Sequence, residues 1–262
     1  MIIKISKYAR LVIILLSFII QSALAQKDVE YSYFDNGNIK SISTYKDGML
    51  NGKFICYYAN GTLKEKGKFK NNAQHGKWQK WYETGESKSI ANYKNGELNG
   101  KHIYFYKNGN LKFTENYKNN KREGKWEFFY ETGKLREVQY YKNQKKTGTW
   151  EYYFENGNKR GEATYVLSKK NGIWKEWYLN GNLKEKTPYV DNKIAGLKTV
   201  YYETGIIKEE INYINNTKNG KYTKYYPDGS VQIDAEYTKN NTPSGSWAYY
   251  DKNGNLLKTE KY

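Results

Sequence analysis

Two glycines recur with one period along almost the whole chain, and this periodicity limits the fold more than any other feature. One series falls at positions 52, 76, 100, 124, 148, 172, 196 and 220, a spacing of 24 residues, and then at 245. The second falls at 37, 61, 85, 109, 133, 157, 181, 205 and 229, again every 24, and then at 254. The two series stay nine residues apart throughout. Such self-similarity is the mark of a tandem array, in which each unit completes the core of its neighbour. The array is expected over residues 26–262, as nine full units and a leading half unit, with the extra residue near Thr242-Pro243.

Each unit reads as a β-hairpin. Gly76 to Tyr82 is aromatic-rich and of strand length, Glu83-Thr84-Gly85 is a turn, and Glu86 to Tyr93 is a second strand. An aromatic three residues before the turn glycine recurs, as in Tyr58…Gly61, Tyr130…Gly133 and Phe154…Gly157. One copy has Pro227 just after Tyr226, suiting the first central position of a type I turn, with Gly229 then in the left-handed region. No segment between glycines keeps a helical period. The fold class expected is therefore all-β: an elongated single-layer antiparallel sheet of tandem hairpins. At ~4.8 Å between strands a unit advances about 10 Å, and nine units about 90 Å.

Alternation along the strands assigns faces. One face takes Tyr57, Trp81, Phe105, Phe129, Tyr153, Trp177, Tyr201 and Tyr225. With them go the aliphatic residues two past each turn glycine, such as Leu63, Leu135 and Ile207, and the strand-ending aromatics Tyr93, Tyr117, Tyr141 and Tyr165. This face is predicted to be the more buried. The opposite face carries Trp78, Trp126, Trp150 and Trp174, then Tyr82, Tyr130, Phe154 and Tyr178, joined by Lys88, Arg136, Arg160 and Lys184. A slip of one residue in register would exchange part of these sets.

The first 25 residues differ from the rest. Lys4, Lys7 and Arg10 precede an apolar run from Leu11 to Ile20, and Ala23-Leu24-Ala25 offers the small residues of a cleavage site. Residues 1–25 are expected to be a cleaved secretory signal peptide, placing the mature chain in the periplasm, at the outer-membrane surface or outside the cell. No later stretch is apolar enough for a membrane helix. The full chain has a formal charge of +17. Export and the even spread of lysine argue against nucleic acid as partner. Cys56 is the single cysteine, so no intrachain disulfide is possible.

The run Gly124-Lys125-Trp126 through Tyr130, Gly133, Leu135 and Tyr140-Tyr141 resembles MORN repeats in their bacterial variant form. The resemblance covers about residues 30–262 and implies a hairpin-repeat fold. Proteins of this variant class are often grouped with the YwqK-type antitoxin family, which implies an antitoxin-like or partner-binding role; eukaryotic relatives are associated with membranes and scaffolding.

Nothing in the sequence assembles a catalytic, metal or cofactor site. His75 and His102 occupy unrelated places, and the acids are scattered as turn residues such as Glu83, Glu131 and Glu203. Asp35-Asn36-Gly37-Asn38 lacks the distal Glu of a calcium loop. The chain reads as a non-enzymatic exported scaffold, and its candidate binding face is the Trp–Tyr–cation set. Cations attract an anionic partner and aromatics stack on sugars or grip interfaces. The partner expected is a protein or an anionic lipid or polysaccharide of the envelope, with antitoxin-like immunity as one form; a carbohydrate- or cell-wall-binding module is the alternative. The plainer reading of the same aromatics is packing across strands under lysine stems.

Overall fold

A computed structural model of the chain describes residues 28–238 and 241–262; the export segment expected over 1–25 lies outside the described residues. The chain divides into two units. One holds the residues up to Gly109 with Lys118–Asn120, the other Asn110–Tyr117 with Lys121–Tyr262. Both follow one plan: antiparallel hairpins side by side in a single-layer sheet, with no α-helix among the described residues. The all-β hairpin-repeat fold is thus present in each unit.

Two kinds of turn alternate. In the second unit, strands Gly124–Phe129 and Leu135–Lys142 are joined by a three-residue loop in which Tyr130 N donates to Lys134 O at 2.8 Å and Gly133 N to Tyr130 O at 2.9 Å. Gly133 has φ +86°, the left-handed conformation that ends such a loop. The next connection is a two-residue turn, with Lys142 opposite Lys145 and both Asn143 (φ 48°) and Gln144 (φ 67°) at positive φ. Asparagine tolerates this region because its short polar side chain bonds locally. The first unit repeats the pattern, with Gly85 in the three-residue loop and Asn95-Gly96 in the two-residue turn.

The face assignment needs one correction. Residues directly opposite on paired strands share a face. Trp126 opposes Gln139 and Gly124 opposes Tyr141, so the strand-ending Tyr141 lies with Trp126, while Phe129 opposes Leu135 on the other face. The cause is a β-bulge between Phe128 and Phe129. Strict alternation would put Leu135 and Tyr141 on one face; the extra residue, Arg136, sends them to opposite faces. The same shift occurs between Lys80 and Trp81 and between Tyr152 and Tyr153.

The units of the array are stitched by their side chains. Tyrosines that open three-residue loops donate their hydroxyls to a backbone carbonyl about one repeat further on: Tyr82 to Phe105 at 2.7 Å, Tyr130 to Tyr153 at 2.8 Å and Tyr178 to Tyr201 at 2.8 Å. Loop asparagines do likewise, Asn60 to Glu83 O and Asn180 to Glu203 O, and on the opposite edge Asn192 Oδ1 accepts from Lys170 N at 2.7 Å.

Gly133→Val should lower stability by about 1–3 kcal/mol, because a β-branched residue resists positive φ. Urea denaturation followed by far-UV circular dichroism measures this; an unchanged midpoint would contradict the loop geometry.

Candidate functional site

The Trp-bearing face is the core of the sheet, reversing the predicted order of burial. Trp78 is 2% exposed, and Trp126 and Trp150 are 3% exposed. With no second layer to bury them, the rings bury one another. In the second unit Tyr117, Trp126, Tyr141, Trp150 and Tyr165 form a continuous row, with successive centroids 5.2, 5.1, 5.3 and 4.9 Å apart. In the first unit Phe54, Phe69, Trp78 and Tyr93 do the same at 5.4, 5.0 and 6.4 Å. These tilted and edge-on arrangements suit the ring quadrupoles. The buried indole N–H groups are satisfied: Trp78 donates to Lys68 O at 3.1 Å, Trp126 to Asn116 O at 3.0 Å and Trp150 to Tyr140 O at 3.1 Å.

The candidate residues therefore divide by role. Trp78, Trp126 and Trp150 are packing residues, and Trp174 is half-buried. Tyr82, Tyr130 and Tyr178 are the inter-repeat hydroxyl donors. Lys88 stands over Tyr82 at 5.4 Å, as the sequence suggested, but Arg136 and Arg160 lie over Phe128 and Tyr152, both at 5.8 Å. All three cations occupy the extra position of the same bulge, so their different ring partners are not set by the register.

A second cation row was missed. Arg122 lies 4.9 Å from the Trp126 ring, Lys146 4.4 Å from Trp150 and Lys170 3.4 Å from Trp174. Burial, and then the neighbouring Lys146 charge, hold the Lys170 ammonium below its usual pKa. The signal was available: these cations recur at the repeat period, four residues before Trp126, Trp150 and Trp174.

Two hollows stand out. In the first unit a cavity of about 590 Å³ is lined by Lys53, Lys66, Lys68, His75 and Lys77, with no Asp or Glu in its lining. Lys53 is directly opposite Lys68, and Lys68 directly opposite His75. Like charges so placed repel. His75 Nδ1 is buried without a hydrogen-bond partner. In the second unit a cavity of about 410 Å³ gathers Phe154, Arg160, Trp174 and Lys184 from the candidate set, together with Tyr152, Gly161, Glu176 and Trp177.

The opposite face of the second unit is neutralised differently. Lys159 contacts Glu151 and Glu162, both at 2.8 Å, and Lys175 contacts Glu162 at 3.2 Å. The hydrogen bond from Lys159 holds the Glu162 carboxyl below its usual range, against the opposing effect of burial and with help from Lys175. Burial pulls Lys159 down, but its bonds to both glutamates outweigh that and raise it above the usual ammonium range. Among the described residues no cluster of three His, Cys, Asp or Glu could hold a metal ion.

With this geometry in view, the family follows. The model of the MORN repeat variant matches residues 29–47, 50–71, 74–95, 98–119, 122–143, 146–166, 170–191, 196–215 and 218–239, so the chain belongs to that family. No curated protein matches the sequence. Among solved structures, the chain is similar to the Photorhabdus luminescens Tc holotoxin pore carrying the TccC3-D651A mutation. The identity there is 12% and the TM-score 0.22, over 89% of this chain and 15% of that one. It is also similar to a TcdB2-TccC3 structure, at 14% identity and TM-score 0.17, over 90% of this chain and 14% of that one. The chain thus spans only about a seventh of the length of these structures.

Trp126→Ala should destabilise the fold by about 3–5 kcal/mol, as for other buried Trp truncations; a change below 1 kcal/mol in urea denaturation would contradict its core role. The ion pairs set the pH dependence. A carboxyl lowered by folding stabilises above its unfolded pKa, about 4.3, and loses that contribution as pH falls through the lower folded value. A raised lysine stabilises below its unfolded pKa, about 10.4, and loses this as pH rises through the folded value. The urea midpoint should fall on acidification below about pH 4, and Glu162→Gln should flatten that limb; an identical acid limb in the variant would contradict the pairing.

Proposed function

We propose that the protein is an exported, non-enzymatic repeat scaffold that docks an anionic partner, either the acidic face of a protein or an anionic surface of the cell envelope. The observation that carries this reading is the basic hollow of the first unit. Some lysines elsewhere on the sheet meet carboxylates, as Lys80 meets Glu65 at 3.3 Å and Lys125 meets Glu127 at 2.6 Å. Lys53, Lys66, Lys68 and Lys77 instead surround a cavity that has no acid in its lining. Uncompensated positive charge facing a concavity draws in anions and speeds their encounter.

The repeat plan supports a scaffold. Its hydrogen bonds run from repeat to repeat, presenting a continuous rigid surface within each unit, which suits partner recognition more than chemistry. Export, expected from residues 1–25, would meet partners in the envelope; an antitoxin-like role is the case in which the partner is a secreted effector.

The test is direct. The mature chain should bind phosphatidylglycerol-rich vesicles or an acidic protein retained from envelope extract, weaken as salt rises from about 0.05 to 0.5 M, and weaken at least about tenfold in Lys66→Glu/Lys68→Glu. Binding that ignores both salt and these substitutions would overturn the reading.

A further inference from the structure

The cleft in the second unit exists because one hairpin departs from the repeat at two places. The first is Gly161. It lies opposite Tyr152 on one side and Glu176 on the other. Its equivalents 24 residues away are Glu137 and Glu185, and the next after that is Glu209. Gly161 has an ordinary φ, so no backbone requirement explains the glycine. Its effect is to remove a side chain from the floor between an aromatic ring and a carboxylate. The second departure is Phe154, where Tyr130 and Tyr178 stand in neighbouring repeats. Those tyrosines reach forward to backbone carbonyls, whereas Phe154 has no hydroxyl to place there and adds an apolar wall.

The opening has a volume of about 410 Å³, within the ~300–1,000 Å³ range of small-ligand sites. The aromatic residues of its lining are Tyr152, Phe154, Trp174 and Trp177. Trp174 is held in advance, with Tyr189 5.7 Å away and the Lys170 ammonium 3.4 Å from its ring centroid. Glu176 supplies a carboxylate, paired at 3.6 Å with Lys184. Arg160 is exposed at the rim, over Tyr152, with no carboxylate at ion-pair distance among the described residues.

We propose that this cleft binds one unit of an acidic carbohydrate, a pyranose bearing a carboxylate. The aromatic walls take the C–H face of the ring, as amphipathic aromatics do when one side of a ligand is apolar. The Glu176 carboxylate accepts from ring hydroxyls. The Arg160 guanidinium supplies the planar, forked donor set that matches a carboxylate. The Lys184–Glu176 pair leaves Arg160 as the uncompensated charge, which is why an acidic sugar is favoured over a neutral one. The proposal rests on the second unit alone and does not depend on the basic hollow of the first.

The test uses the full mature chain, titrated with oligogalacturonate and, separately, with neutral gluco-oligosaccharide, following intrinsic tryptophan fluorescence and calorimetry. Oligogalacturonate should bind at least tenfold more tightly than the neutral oligomer. Gly161→Glu restores the residue that neighbouring repeats carry, so its circular dichroism should match the parent while binding is lost. A Cβ there would meet the movable Tyr152 ring at 3.3 Å. Arg160→Gln should remove the preference for the acidic oligomer and leave neutral binding unchanged. The proposal is overturned by no oligogalacturonate binding at millimolar concentration, by equal affinity for both oligomers, or by undiminished binding in a folded Gly161→Glu.

Discussion

A sheet with no second layer must bury apolar surface against itself, and here it does so with rings. Each buried tryptophan sits between the strand-ending aromatic of its own hairpin and that of the hairpin before it. Trp126 touches Tyr141 and Tyr117, and Trp150 touches Tyr165 and Tyr141. Because Tyr141 is shared, neighbouring repeats cannot be separated without exposing a ring in each. Small residues complete the packing: Ala91 faces Trp78 and Ala163 faces Trp150 across the strands. The composition follows from this demand. Aromatics bury large areas at the cost of few torsions, which a core one layer deep requires.

The polar features follow from the same stacking. Repeats one period apart bring like positions together, so loop asparagines and the loop tyrosine find backbone carbonyls one repeat away. The lysines then have two settings: over rings, where Lys146 and Lys170 cover the aromatic row, or beside carboxylates, as in the Lys159–Glu162 group. In the hollow around Lys66 and Lys68, Lys66 lies 5.2 Å from the Trp81 ring, but no carboxylate is in the lining, and for that reason the hollow carries the binding proposal.

Much of the architecture was legible in the residues. The Gly133 series marked the three-residue loops, and the aromatic-x-x-Gly pattern marked the hairpin. The faces were only half legible. A pattern with period two places Tyr141 with Leu135, and only the bulge at Arg136 undoes that; a single inserted residue leaves no mark in local composition. The candidate set mixed packing and surface residues because Trp126 and Arg160 look alike in an alternation scheme, whereas burial separates them. Gly161 was readable in principle. It belongs to neither glycine series, and comparison with Glu137 and Glu185 shows what its repeat lacks. What such a comparison cannot supply is that the vacancy lies between Tyr152 and Glu176, since strand pairing across repeats decides this.

The central claim is that tryptophans on one face form the core while those on the other do not. Indole N–H hydrogen exchange, resolved by NMR with tryptophan assignments, tests it most directly. The Trp78, Trp126 and Trp150 indoles, buried and bonded to backbone carbonyls, should exchange orders of magnitude more slowly than those of Trp81 and Trp177 on the opposite face. Equal and rapid exchange at all five positions would contradict the aromatic core.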